Sequence, residues 1–294
     1  MAQSQRKIKE KNYTRVKEYL DRYGQRHRLI NIPEGEKVVV FNPLVADWIA
    51  RPLTLDLLKE IKEKLAPQLT IQLNQRGLVS AAIRQLEGDG DEQDPTNYHA
   101  VWTRDCLWIF WSYLAYDLNS ARRLILSIWD YYSTPAQLKR FEQIIAKPSL
   151  AADPMAVPHI RFDGDTPDLG DPMVDGKPEH WSHKQLDAHG LFLVSLAHAL
   201  QIKLLTPLDF NEGRIRSLTL LFHFLEKIPY YQWAEAGAWE EIDKLNTSSI
   251  GLAVRGLEVW RNLLEASREI SLRLPLVDIK ILDALIKPGR QLVR

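Results

Sequence analysis

The stretch Trp239-Glu240-Glu241 contains the residue types of an acid catalyst. Two adjacent carboxylates follow a large indole in a loop with Gly and Ala, just before an Asn-Thr-Ser-Ser helix start. Desolvation beside the indole would raise the pKa of Glu240, as a general acid requires, while Glu241 would stay ionised and bind hydroxyl groups. The alternative interpretation is that both glutamates are plain solvated acids.

A second candidate stretch is YHAVWTRDC, residues 98–106. Arg104 and Asp105 stand at a helix start and offer a fork of donors beside a carboxylate, which suits the vicinal hydroxyls of a sugar. The alternative is structural. Asp105 would then complement the positive end of the helix dipole, and Arg104 would form an ordinary salt bridge.

The third stretch is HWSHKQLDAHGLFL, residues 180–193. Trp181 ends a long loop, and Gln185 and Asp187 are polar residues in the first turn of the next helix. The alternative is that Ser182 caps this helix and that the polar residues serve only its first turn.

Three histidines and two acidic segments are candidate metal ligands. His180, His183 and His189 lack the i, i+4 pair that places two imidazoles on one helix face, and in the structural alternative His183 and His189 are solvent-exposed. DGDEQD (89–94) and DGDTPD (163–168) resemble EF-hand starts, but both lack the glycine at position six and the glutamate at position twelve. The sequence therefore predicts no metal and no cofactor, with a looser ion site at the two acidic loops as the open alternative.

Composition excludes several classes of protein. Lys+Arg and Asp+Glu are both 38, and this balance argues against a nucleic-acid partner. The charged first twenty residues lack the apolar core of a secretory signal, and no apolar run approaches the roughly 18–20 residues of a membrane span. Cys106 is the only cysteine. We therefore expect a cytoplasmic protein with no membrane partner.

The elements that must position these residues are mostly helical. Apolar spacing and cap residues predict helices over 103–117, 120–131, 135–146, 184–202, 211–227, 248–268 and 277–286. Strand signals are limited to KVVVF (37–41) and LTIQL (69–73). We expect an appended, mixed and charged segment over 1–75 and a helical domain over 76–294.

In order and spacing, the three stretches resemble glycoside hydrolase family 15, which includes the glucoamylases, and the related N-terminal domain of the phosphorylase kinase α and β subunits. The matching segments are YHAVWTRD, WSHKQLDAHGLFL and AWEEIDKLNTSSIGLA. The resemblance covers residues 76 to about 268. It implies an all-α fold, an (α/α)6 toroid of the six-hairpin glycosidase type, with the active site where the loops gather at one end.

The resemblance also implies residue roles. Glu240 matches the general acid that protonates the glycosidic oxygen. The remaining matches are substrate-binding: Trp102, Arg104, Asp105, Arg161, Trp181, Gln185, Asp187, Trp239 and Glu241. The implied partner is an α-glucan or a small α-glucoside.

The resemblance predicts an inverting hydrolase of α-linked glucosides, but one element is missing. Such an enzyme needs a second carboxylate roughly 6.5–9.5 Å from the acid, and no suitable base follows Glu240. About eight helices, rather than twelve, are expected after residue 76. Two alternatives follow: the chain is a fragment of a longer protein, or the barrel is incomplete and the family activity is lost. With a truncated barrel we expect self-association through an exposed face. The alternative function is a non-catalytic glucan-binding or regulatory module.

Overall fold

The computed structural model describes residues 15–20, 26–31, 37–40, 42–49, 51–69, 71–81, 99–239 and 242–293. The chain divides into two compact units between Ile71 and Gln72. No helix in the described ranges is long and apolar enough to cross a membrane.

The first unit contains a small antiparallel sheet and two helices. Its strands lie in the order β1 (Arg15–Leu20), β2 (Arg26–Asn31) and β3 (Lys37–Val40). They are followed by α1 (Pro43–Ile49) and α2 (Leu55–Leu69). The strand predicted from KVVVF is confirmed as β3. The strand predicted from LTIQL is wrong, because Leu69 ends α2 and residues 71–73 form no regular element.

The second unit is mostly helical, which confirms the all-α class for this part of the chain. Its described helices are α3 (Thr103–Tyr113), α4 (Leu118–Tyr132), α5 (Pro135–Ala146), α6 (Leu186–Gln201), α7 (Glu212–Lys227), α8 (Thr247–Ala266), α9 (Arg268–Arg273) and α10 (Ile279–Leu292). Each helix predicted from apolar spacing is present. Short strand pairs join β4 (Val101–Trp102) to β5 (Arg161–Phe162), and β6 (Met173–Val174) to β7 (Lys177–Pro178).

Helix starts follow the cap residues, with three corrections. Asp117 caps α4, which begins at Leu118, two residues before the predicted start at residue 120. Asn246 precedes α8, and its side chain makes no cap hydrogen bond. Ser182 does not cap α6, because the residue at the helix boundary is Gln185. Thr134 caps α5, and Pro135 occupies its first turn as expected.

Helix α6 lies at the centre of the second unit. Most of its residues are buried, and it packs against α3 and α8. Two glycines allow this close packing. A Cβ on Gly190 would lie 2.6 Å from the backbone nitrogen of Ala253, and one on Gly256 would lie 2.8 Å from Cβ of Leu193. By contrast, α3 leaves the side chain of Trp108 55% exposed.

The single cysteine lies inside this core. Cys106 on α3 is fully buried, and its Sγ donates to the carbonyl oxygen of Val79 at 3.3 Å. Burial raises the pKa of this thiol to about 12. The protonated thiol is therefore the stable form, and it is an unreactive one.

Substituting Gly190 tests the contact between α6 and α8. We expect Gly190→Ala to lower the free energy of unfolding by about 1–3 kcal/mol, because the new methyl group meets α8 backbone that cannot move aside cheaply. Urea unfolding followed by circular dichroism measures the change.

The matched control is Gly251→Ala on α8, where a Cβ meets nothing within 4 Å. Alanine should raise the free energy of unfolding there by about 0.5–1 kcal/mol through its better helix propensity. Equal effects of the two substitutions would contradict the close contact.

Candidate functional site

The starts of α3 and α6 meet and form a cluster of polar side chains. Nη1 of Arg104 donates to Oε1 of Gln185 at 2.5 Å and to Oδ2 of Asp187 at 3.2 Å. Oδ1 of Asp105 lies 3.8 Å from Nε of Arg104. These four residues are called the helix-start cluster below. The structure thus brings together two of the stretches that the sequence singled out.

Burial differs sharply within the helix-start cluster. Asp187 and Arg104 have side chains 5% and 13% exposed, whereas the Asp105 side chain is 46% exposed. Both aspartates lie in the first turn of their helices, where the helix dipole stabilises negative charge. Oδ1 of Asp187 is buried and has no hydrogen-bond partner among the described residues.

Arg161 lies between two indoles beside this cluster. Its guanidinium carbon is 4.8 Å from the ring centre of Trp102 and 4.3 Å from that of Trp181. Nη2 of Arg161 donates to Oε2 of Glu179 at 2.8 Å. Trp102 and Trp181 belong to a small apolar cluster with Ala188, the residue after Asp187. The indoles and the helix-start cluster are therefore adjacent.

The first N–H of α3 and the first N–H of α6 are each bound by a segment distant in sequence. The amide of Thr103 donates to the carbonyl of Ile160 at 2.8 Å, and the amide of Leu186 donates to Oε2 of Glu235 at 3.0 Å. The boundary residues Trp102 and Gln185 make no side-chain cap bond. Both helix starts are therefore fixed by tertiary contacts rather than by their own cap side chains.

Glu235 lies just before the stretch that contains Trp239, and it joins that segment to the start of α6. Its Oε2 also accepts the Gly237 amide at 2.9 Å, and its Oε1 accepts Nδ2 of Asn246 at 2.6 Å. These bonds, with the one from Leu186, are called the Glu235 clasp. Burial raises the pKa of Glu235 and the charge of Asp187 raises it further, while the hydrogen bonds offset part of this effect.

The long loop before α6 is held by a buried histidine pair. His159 stacks on His183 with ring centres 3.6 Å apart. Nδ1 of His159 lies 2.6 Å from Oδ1 of Asp171, and its Nε2 lies 2.9 Å from the carbonyl oxygen of Met155. Both ring nitrogens of His159 are therefore held by oxygen atoms of the same loop.

His183, the partner of His159 in the stack, accepts a hydrogen bond and has a lowered pKa. It accepts the Ile160 amide on Nδ1, and burial together with nearby charge, His159 included, lowers its pKa well below the ordinary value. His189 is also buried, and its pKa is lowered to about 3. The alternative in which these two histidines are solvent-exposed is therefore wrong.

Part of the predicted acid motif lies outside the described residues. Glu240 and Glu241 are not described. Trp239, just before them, is 86% exposed, so its indole is not part of the cluster around Arg161. The segment itself does reach the site. Ala236 donates its amide to the Lys184 carbonyl at 2.9 Å, and Lys184 forms an ion pair with Asp243.

Sequence reasoning missed Glu235 and the His159–Asp171 pair. Glu235 lies 49 positions from its partner Leu186, and no local pattern signals that contact. No sequence pattern marks His159 and Asp171, because they lie in a long loop without periodicity. The helix-start cluster was found because polar residues were visible in two first turns.

Comparison with known proteins gives one partial similarity. No protein-family model matches the chain. The chain is similar to a protein of Escherichia coli (strain K12) named "Uncharacterized lipoprotein YgeQ", at 40% identity over 142 residues. The match covers 46% of this chain and 54% of that protein, so the chain spans about half the length of this curated relative.

These comparisons overturn the resemblance to glycoside hydrolase family 15 and to the phosphorylase kinase subunits. The glycosidase function, the general-acid role of Glu240 and the alternative glucan-binding or regulatory module are therefore wrong as predictions. The physical reason is that the matching stretches are short. Polar residues and tryptophans at helix starts also arise where a helix is fixed by tertiary contacts.

The predicted cytoplasmic location is contradicted as well, because the similar protein is named a lipoprotein. The sequence argument relied on the absence of an apolar span and of a secretory signal. A covalent lipid anchors a protein without any membrane-spanning helix, so the absence of a span did not bear on this question.

The lowered pKa of Asp171 makes the stability of the folded protein depend on pH in acid. Burial favours the neutral carboxyl, but the hydrogen bond and charge of His159 and the charge of Arg140 outweigh it and lower the pKa of Asp171. A lowered folded-state pKa contributes stability above the unfolded value of about 3.9. That contribution is lost as the pH falls through the folded-state pKa.

We therefore expect Asp171→Asn to lower the free energy of unfolding at pH 7 by about 1–3 kcal/mol. The difference from wild type should shrink as the pH approaches 3. Urea unfolding at several pH values measures it. Asp175→Asn is the control, because Asp175 is exposed at a turn with φ of 50°, a conformation that asparagine tolerates. A difference that does not change with pH would contradict the assignment.

Proposed function

We propose that the second unit is a binding domain for a small, neutral, hydroxyl-bearing molecule. The site is the helix-start cluster together with Trp181. One observation carries the proposal, namely the buried and unpartnered Oδ1 of Asp187.

Asp187 supports a ligand because a buried carboxylate oxygen without a partner is costly. The residue is 3% exposed, and Arg104 binds only its other oxygen. Leaving a buried charged acceptor unsatisfied costs more than about 1–3 kcal/mol. A ligand that donates a hydrogen bond to Oδ1 would recover part of this cost.

Trp181 supplies a hydrogen-bond donor that a ligand must accept. Its Nε1 is buried and has no hydrogen-bond partner among the described residues, so it offers a donor near the site. A hydroxyl group both donates and accepts, and can therefore serve Asp187 and Trp181 alike. An ammonium group only donates, so it satisfies Asp187 alone.

Charge disfavours an anionic ligand. The helix-start cluster contains two carboxylates, Asp105 and Asp187, against the one guanidinium of Arg104. Arg161 and Lys184 nearby are already paired with Glu179 and Asp243. A neutral molecule with several hydroxyl groups fits this balance best.

Other predictions from the sequence are untested and are kept as proposals. An α-glucan or small α-glucoside is one member of the hydroxyl-bearing class. The absence of a nucleic-acid or membrane partner and self-association through an exposed face also stay predictions. The packing of α6 against both α3 and α8 supports an α/α toroid, incomplete in this chain, as the finer description of the fold.

Calorimetric titration with glycerol, myo-inositol, glucose and maltose tests the proposed function, with methylammonium and phosphate as probes of the rejected classes. We expect at least one hydroxyl-bearing probe to bind. Asp187→Asn should weaken it by roughly 10-fold to 100-fold, because a hydrogen bond to a buried charge is lost.

Asp175→Asn is the matched control and should leave the affinity unchanged. Binding of methylammonium or phosphate without any hydroxyl-bearing probe would overturn the proposed ligand class. Equal affinity in wild type and Asp187→Asn would overturn the proposed site.

A further inference from the structure

The start of α3 and the loop 235–246 both contact the start of α6. Glu235 joins the loop to the start of α6. Its carboxylate receives the first amide of α6 from Leu186 and, within its own loop, the Gly237 amide and the Asn246 side chain. Glu235 is 1% exposed. Solvent therefore cannot easily replace any of these bonds.

The loop 235–246 is closed at its base by further contacts. Glu235 and Lys244 exchange two backbone hydrogen bonds, at 3.0 and 3.1 Å, and Nδ2 of Asn246 also donates to the Glu235 carbonyl at 3.0 Å. Gly237 has a φ of 68°, and a Cβ there would lie 2.7 Å from Nδ2 of Asn246. The two ends of the loop are therefore fixed to each other where the loop meets α6.

Asp187, the residue that carries the proposed binding site, directly follows Leu186. The amide of Leu186 fixes the first turn of α6, and the orientation of this turn sets where Oδ1 of Asp187 lies. Without the Glu235 carboxylate, the Leu186 amide would be a buried donor without its partner, and the first turn would fray.

We propose that Glu235 is a positioning residue, which holds Asp187 in its binding orientation and couples occupation of the site to the order of loop 235–246. This inference rests on the proposed function. Glu235 itself need not touch the ligand. By linkage, a ligand that stabilises the first turn of α6 must also stabilise the loop bound to that turn.

The coupling also involves protons. Protonation of Glu235 removes the negative charge that the three donors of the Glu235 clasp bind, and so weakens these bonds. The charged groups around it are Asp187 on α6 and the Lys184–Asp243 ion pair, which joins the segment before α6 to the loop. Acid should therefore loosen the loop from α6.

The test combines hydrogen exchange with titration. Peptides that contain Leu186 and Gly237 should exchange faster in Glu235→Ala than in wild type without any ligand. The affinity for the best of the four hydroxyl-bearing probes should fall at least about fivefold, the low end of coupling between sites. Glu235→Gln retains an acceptor oxygen and should recover most of the protection and affinity. Glu212→Ala, an exposed acid in the first turn of α7, is the control and should change neither.

A merely structural role is excluded by the reciprocal measurement. In wild type, the bound probe should slow exchange at Gly237, and this effect should vanish in Asp187→Asn. Wild-type affinity in Glu235→Ala, or ligand binding that leaves Gly237 exchange unchanged, overturns the inference while the proposed function stands. Failure of all four probes to bind wild type overturns the proposed function, and the inference with it.

Discussion

The arrangement of the second unit depends on how the first turns of α3 and α6 satisfy their backbone amides. The leading N–H groups of a helix have no partner within the helix, and most helices use a nearby side chain to bind one of them. Here Thr103 and Leu186 donate instead to Ile160 and Glu235, which come from other segments. The side chain of Gln185 therefore binds Arg104 instead of capping α6, and the indole of Trp102 packs against the guanidinium of Arg161.

This arrangement explains how a buried carboxylate is tolerated. Asp187 lies in the first turn of α6, at the positive end of its helix dipole, and forms an ion pair with the guanidinium of Arg104. Glu235 lies close by; in the part of the chain that the structure describes it forms no ion pair, and its donors are the neutral groups of Leu186, Gly237 and Asn246. The two acids therefore have different environments, although they meet at the same helix start.

The sequence predicted what is local and missed what is distant. Apolar spacing was sufficient for each helix of the second unit, since burial of one face repeats with the helical period. Arg104, Gln185 and Asp187 were assigned to one site through the resemblance, and the structure shows Arg104 bonded to both of the others. The role of Glu235 could not be predicted from the sequence, because its partner Leu186 lies 49 positions away and no local pattern marks the contact. LTIQL failed because a short apolar run fits the end of a helix as well as a strand.

The buried thiol of Cys106 makes the native protein nearly invisible to alkylating reagents. Because the sequence has no other cysteine, modification must follow an opening of the core between α3 and the segment at Val79. Its rate then reports how often that part of the fold opens, without any engineered label. Conversely, a cysteine introduced on an exposed surface would be the sole reactive thiol in the folded state, which permits site-specific attachment of a probe to the wild-type background.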